Sequence, residues 1–374
     1  MAAADTGKAL DACLEKLSSQ LDAMKSVYPR FPHAYSGGEW KTSGDAEWQQ
    51  LIDGYWTGGF WVGQLFIAHR LTGDEDFYYW GRRWLNLLRP RAEVRSMHDL
   101  GFLFFPSSVA GVEFYGEKDF MDTAITAASN LASRYSRRYR CITIFEREPL
   151  DRTLAVDTMM NLPLLWWAGK RTGNEMWLRI ADNHLRTTAQ FALRDDGSTN
   201  HIVRFEAGAR EVEEVESWQG DSAESCWARG QAWMIAGLAY ALLFTRNDEY
   251  REMLELPLHY FGTHLPSDVV PCWDLDVDTG IGEPRDASAL AIAAHALILL
   301  KGWPELRQLS RPWIDALVNN CAAPADTPGL LEHVCFHKPQ NLDTDCSCMF
   351  ADFYYLLALA NATGRLEGPC ISGF

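Results

Sequence analysis

A short pattern recurs along the chain: a turn, an acidic or amide residue, an aromatic side chain, then a run with helical period. It reads TGDEDFYYWGRRWLNLL from Thr72, YGEKDFMDTAITAASNLASRY from Tyr115 and TGNEMWLRIADNHLRTTAQF from Thr172. A weaker copy, TRNDEYREMLELPLHYF, begins at Thr245, and NATG from Asn361 closes the last helical run. Each copy follows another helical run: GFWVGQLFIAHRL, GFLFFPSSVAGVEF, NLPLLWWAGKR and GQAWMIAGLAYALLF. Helix, short turn and helix at a near-constant period mark stacked helical hairpins.

The two helices of a hairpin differ in kind. The first is apolar nearly all round, as in AWMIAGLAYALLF from Ala232, and the second carries charge along one face. An all-apolar helix is buried, whereas an amphipathic one meets solvent on one side. An inner ring of buried helices inside an outer ring of amphipathic ones is an all-α fold, the (α/α)6 barrel. Six hairpins are expected, two of them faint in the sequence. Strand signals are sparse: HIVRFE from His201 and VVPCWDLDV from Val269 read as loop hairpins. No linker or low-complexity segment interrupts the pattern, so residues 1–374 are expected to form one domain. The stretches Tyr35–Tyr55, Tyr139–Leu154, Arg194–Cys226 and Pro266–Ala287 are long and rich in Trp, Gly and Asp. Each precedes an inner helix, so they should gather at one mouth of the barrel, and loops of that length usually carry function.

Charge narrows the choice of partners. Fifty acidic side chains against 34 basic ones leave a formal charge of −16. Nucleic acid is therefore excluded as a ligand, because binding it needs a basic footprint. An anionic ligand would be repelled at long range and would need a local Arg or Lys. The 15 Trp, 13 Tyr and 18 Phe exceed what packing alone requires; some should line a cleft, where flat rings suit the apolar faces of sugars. Nine Cys follow no disulfide framework, and Cys346 and Cys348 are the only close pair. Reduced thiols, an amphipathic N-terminus and no run long enough to cross a bilayer point to a cytoplasmic protein without a membrane partner.

The stretch LAVDTMMNLPLLWWAG, Leu154–Gly169, places Asp157 and Asn161 four residues apart in apolar surroundings. On an α-helix they would share a face. Pro163 cannot donate to the carbonyl of Met159, so a helix starts near Asn161 or kinks there. A carboxylate amid Val, Met, Leu and Trp loses hydration, which raises its pKa toward values useful for acid chemistry. The alternative reading is a helix cap or a satisfied core Asp.

Four further clusters carry chemistry-bearing side chains. Tyr55-Trp56-Thr57-Gly58-Gly59-Phe60-Trp61 pairs a wall for a sugar, Trp56, with glycines that permit close backbone approach. In Met97-His98-Asp99-Leu100-Gly101-Phe102, Asp99 is either a helix cap or a second carboxylate facing Asp157. Paired carboxylates hold each other's pKa values apart. Trp218-Gln219-Gly220 and Trp227-Ala228-Arg229-Gly230-Gln231-Ala232-Trp233 set Arg229 four residues before Trp233, within reach of a guanidinium–indole stack. Arg229 then meets a substrate carboxylate, pairs internally with Asp99 or Asp157, or does both. Arg285-Asp286 opens a helix as an internal pair with a cap. No nucleophile elbow, zinc motif, phosphate loop or dinucleotide fingerprint occurs.

WTGGFW, HDLGF, VDTMMNLPLLWWAG, WQG, WARGQAW, WDLD and PRDASA occur in that order over most of the chain. In this the sequence resembles the unsaturated glucuronyl hydrolases, (α/α)6 barrels that act on the products of polysaccharide lyases. The resemblance implies an unsaturated oligosaccharide as substrate, no cofactor and no metal, and a monomer or homodimer. It places Asp157 on the family's general acid and base and Asp99 on the second essential carboxylate. Gln219 falls on an assisting Gln; Trp56, Arg229 and Trp233 fall on substrate-contacting positions, with His98, Asn161, Trp218 and Trp227 expected beside them. The implied chemistry protonates and hydrates the C4–C5 enol ether of a terminal 4,5-unsaturated glucuronic acid. Trp218 stands where a His is expected, the loop CITIFEREPLDR lacks a Trp, and Cys346 and Cys348 replace residues that are usually Ser, Trp or small. These departures bear on the leaving sugar more than on the reaction. The nearest rivals are an unsaturated rhamnogalacturonyl hydrolase on the same barrel and a catalytically inactive glycan-binding barrel.

Overall fold

The computed structural model describes residues 3–42, 54–145, 150–278 and 282–367. Helix α1 (Thr6–Lys25) is followed by a hairpin of β1 (Pro32–Ser36) and β2 (Glu39–Thr42). Then come the pairs α2 (Gly58–Thr72) with α3 (Glu75–Leu88), and α4 (Leu100–Phe104) and α5 (Ala110–Tyr115) with α6 (Lys118–Ser133). Two short strands, β3 (Tyr135–Ser136) and β4 (Cys141–Ile142), and β5 (Thr153–Ala155) lead to α7 (Leu162–Thr172) and α8 (Glu175–Phe191). Strands β6 (Ile202–Phe205) and β7 (Val212–Glu216) precede α9 (Ala228–Thr245) and α10 (Asp248–Thr263). The chain ends with α11 (Ala287–Ile298), the short α12 (Pro304–Arg307), α13 (Ser310–Asn320), β8 (Ser347–Cys348) and α14 (Met349–Ala362).

The inner ring runs α2, α4, α7, α9, α11, α14 and back to α2, each packed on the next. Its helices are buried on all sides: every residue from Ala228 to Phe244 of α9 and all of α11 are buried. The outer α3, by contrast, buries only Phe77, Gly81, Trp84, Leu85 and Leu88. Five hairpins are sequential. The sixth pairs α14 with α1, which packs against it from the other end of the chain. That explains the faintness of the last pair: its halves are separated by most of the sequence. The expected all-α (α/α)6 architecture is what the chain forms.

Close packing of the ring depends on glycine at one seam. A Cβ on Gly59 of α2 would lie 2.1 Å from the carbonyl oxygen of Leu103, so α2 and α4 touch backbone to backbone there. The second inner helix is broken by Pro106. Residues Phe105–Val109 form a π turn between α4 and α5, the widened turn that absorbs a lost N–H donor.

HIVRFE does form a hairpin: β6 pairs antiparallel with β7, Ile202 opposite Glu216, and with β5. VVPCWDLDV forms no strand; Trp227–Asp274 and Cys272–Arg285 make only isolated bridges. Eight cysteines are free and buried. Cys370 lies outside the described residues.

Candidate active site

The N-terminal ends of the inner helices open on one cavity of about 290 Å³. Tyr55 and Trp56 enter it from before α2, His98 and Asp99 from before α4, and Asp157 from before α7. His201, Trp218, Gln219, Trp227, Arg229 and Trp233 come from the segment leading into α9 and from α9 itself. Three of the four long connections thus supply its walls, as expected. The fourth, Pro266–Ala287, props the entrance of α9: Ala228 N–H donates to Trp273 O at 3.1 Å, and Asp274 Oδ2 accepts from Asp221 N at 2.9 Å.

Asp99 occupies the N-cap position of α4 but makes no capping hydrogen bond. Asn161 does that work from across the ring: its Oδ1 accepts from the N–H of Gly101 at 2.6 Å and of Phe102 at 3.2 Å. Its Nδ2 then reaches Asp99 Oδ1 at 3.4 Å. Capping by another residue leaves the Asp99 carboxylate free to face the cavity. A side chain at Gly101 would collide with Asn161, its Cβ 2.3 Å from that Cα.

Asp157 lies in a 3-10 turn, Val156–Asn161. Its Oδ1 is buried and takes no hydrogen bond among the described residues. Burial first, and the charge of Asp99 second, raise its pKa to about 6. Burial likewise raises Asp99 to about 6, opposed by the Asn161 hydrogen bond and by Arg134 and Arg91. The two carboxyls titrate as a pair, so the first proton is held more tightly than either would hold alone. His98 Nε2 lies 3.2 Å from Asp99 Oδ1. Burial pushes this His down to about 4, so it is a neutral donor.

His201 completes the polar wall. Its Nδ1 accepts from the backbone N–H of Trp218 at 3.2 Å and of Gln219 at 3.4 Å. Burial lowers its pKa to about 3. With Nδ1 accepting, the proton sits on Nε2 and makes that nitrogen a donor. Its ring lies 4.4 Å from that of Trp227. Gln219 turns its Oε1 to Arg229 Nη2 at 2.8 Å, which leaves its amide N–H groups for the cavity.

Several expectations change. Arg229 pairs with neither Asp99 nor Asp157; its Nη1 is 2.6 Å from Asp286 Oδ2, both groups buried. Its terminal nitrogens also hold the carbonyls of Cys335 and Phe336, at 2.8 and 2.7 Å. The guanidinium stacks over Trp227 and Phe350, at 4.7 and 5.1 Å, instead of Trp233. Trp233 packs on Phe102 and Tyr354. Asp286 is the expected cap, accepting from Ser288 N at 3.2 Å, but Arg285 pairs with Asp268. Asn161 is buried and does not line the cavity; its side chain meets Gly101, Phe102 and Asp99 instead. On a 3-10 helix four residues advance about 120° beyond a full turn, so Asp157 and Asn161 diverge.

Sequence reasoning passes over His201 and the segment from Val334 to Cys346, which brings Phe336, His337, Gln340 and Leu342 to the cavity. The available signals were a His opening a strand at the head of a long loop, and Phe336-His337 before the last apolar run.

The model of glycosyl hydrolase family 88 matches residues 23–265. The chain belongs to glycosyl hydrolase family 88. This family 88 glycosidase is 31% identical over 315 residues to an unsaturated glucuronyl hydrolase of Formosa agariphila, covering 81% of this chain and 79% of that one. An unsaturated chondroitin disaccharide hydrolase of Streptococcus pneumoniae is 28% identical over 373 residues, covering 95% and 91%. The crystal structure of the unsaturated glucuronyl hydrolase of Bacillus sp. GL1 superposes with a TM-score of 0.89 at 26% identity, covering 98% and 99%. No helix among the described residues is long and apolar enough to cross a membrane.

Proposed function

We propose that the enzyme removes a non-reducing-end 4,5-unsaturated glucuronic acid from lyase-generated oligosaccharides, with Asp157 as general acid and base. The observation that carries this is Asp157 Oδ1, unpartnered at a sugar-sized cavity, on a carboxyl whose pKa burial and Asp99 raise to about 6. An orphaned buried acid is costly unless a substrate uses it. The names of the relatives support the choice of substrate.

The C4–C5 double bond and the ring oxygen of such a sugar form an enol ether. Asp157 gives its proton to C4, and positive charge spreads over C5 and the ring oxygen. The carboxylate left behind, with Asp99 beside it, stabilises that charge. Asp157 then takes a proton from water as the water oxygen bonds to C5. The resulting hemiketal opens by breaking the bond from C5 to the ring oxygen, which leaves a hemiacetal at C1. Its collapse releases the leaving alcohol. Nothing displaces at C1, unlike reactions in which two carboxylates act on the anomeric carbon. Neutral donors, His201 Nε2 and Gln219 Nε2, are suited to the sugar carboxylate. Trp56, Trp227 and Trp233 wall the ring.

Loss of ultraviolet absorbance from the conjugated enol ether reports turnover. Asp157→Asn should lower kcat roughly 100- to 10,000-fold, the usual range for a lost general acid, with KM little changed. Equal turnover by the variant would refute the mechanism. A higher kcat/KM on unsaturated pectin fragments than on unsaturated glucuronyl disaccharides would refute the substrate.

A further inference from the structure

The walls of the cavity are graded from floor to mouth. Trp233 and Arg229 are 1% exposed, Trp227 3% and Asp99 16%, whereas Trp218 is 40% exposed. The reacting carboxyls therefore lie inward of Trp218, and whatever is joined to the sugar they act on must leave past it. Trp218 is held as a plate. Its Nε1 donates to Glu216 Oε2 at 3.0 Å, and its ring rests on Phe145 and His201, with centroids 5.9 and 6.1 Å away. Its backbone N–H is held by His201 Nδ1.

Among the described residues the electrostatics of this rim are one-sided. Among the described residues lining the cavity Arg229 is the only Lys or Arg, and Asp286 neutralises it. His98, His201 and His337 are all pushed toward the neutral form by burial. Nearby Lys338 and Lys41 pair with Glu283 and Asp343. On β7, Glu213, Glu214 and Glu216 share Arg204 and Arg152, three carboxylates against two guanidiniums.

We infer that Trp218 is the platform for the first sugar of the leaving group, and that Glu216 at its edge selects an uncharged sugar over a sulfated one. This rests on the function proposed above. An indole face offers a sugar ring flat apolar area without cost in side-chain mobility, and the carboxylate beside it repels an anionic substituent. Specificity comes from the repulsive element as much as from the attractive one.

Three substrates test it: the methyl glycoside of 4,5-unsaturated glucuronic acid, an unsulfated unsaturated disaccharide and its 6-sulfated counterpart. Trp218→Ala should lower kcat/KM for the unsulfated disaccharide roughly three- to tenfold more than for the methyl glycoside, with Trp218→Phe restoring most of that difference. Wild type should prefer the unsulfated disaccharide, and Glu216→Gln should narrow that preference roughly fivefold. The inference is overturned if Trp218→Ala slows the methyl glycoside equally. It is also overturned if wild type prefers the sulfated disaccharide or if Glu216→Gln leaves the ratio unchanged. If wild type turns over none of the three, the proposed function itself has failed.

Discussion

At the scale of single residues, the site is a problem in keeping one acid protonated. Asp157 is raised by burial and by Asp99, and Asp99 is restrained by the Asn161 amide. The proton must be present when substrate binds, so kcat/KM should be flat on the acid side and fall tenfold per pH unit well above about 6. Removing the neighbouring charge removes part of the elevation. In Asp99→Asn, the carbon-13 shift of the Asp157 carboxyl should therefore titrate at lower pH than in the wild type; an unchanged or higher midpoint would contradict the coupling. Much of this site was legible in the sequence, because Asp99, Asp157 and Trp56 sit at helix entrances, and Gln219 in the loop before α9, in recognisable strings. The contacts of Asn161 were not legible for a local reason: they depend on a 3-10 turn and on two N–H groups of another helix. Nothing near Asn161 in the sequence shows either.

At the scale of an element, α14 carries a buried acid that the proposed reaction does not use. Asp352 is wholly buried, accepts from Leu331 N at 2.9 Å with Oδ1, and leaves Oδ2 unpartnered. Burial raises its pKa to about 7, against about 3.9 in an unfolded chain. The folded state thus binds the proton more tightly. The resulting stability is fully present below the unfolded value, declines as pH rises toward about 7 and is gone above it. Asp352→Asn keeps an acceptor for Leu331 without the buried charge. Its Tm should match wild type near pH 4 and exceed it by several degrees at pH 8; a lower Tm at pH 8 would rule this out. The all-apolar character of α14 predicts its burial, but not which of its polar groups lacks a partner.

Over the whole molecule, the ring is closed by joining the chain's two ends. Leu10, Leu14, Leu17, Leu21 and Met24 of α1 are buried. Lys16 Nζ sits among the carbonyl oxygens of Ala323, Pro324, Thr327 and Gly329, 2.5 to 3.0 Å away, with three N–H groups to share among them, and Asp315 accepts from Ala4 N at 3.0 Å. Burying five such side chains is worth roughly 10 kcal/mol at about 2 kcal/mol each, as much as the whole stability of a typical domain. A chain lacking residues 1–25 should show no cooperative transition by calorimetry; a transition at the wild-type Tm would contradict this closure.

Period and composition by themselves determined the helical hairpins, the assignment of inner and outer rings and the mouth at which the long connections meet. Those properties follow from which residues avoid water along a local repeat. Tertiary structure alone decided that α1 completes the sixth pair, that Arg229 answers to Asp286, that His201 faces the cavity and that Asn161 serves Asp99 from behind. Each of these depends on groups far apart in the chain being brought within hydrogen-bonding distance, and periodicity within a segment carries no record of such partners.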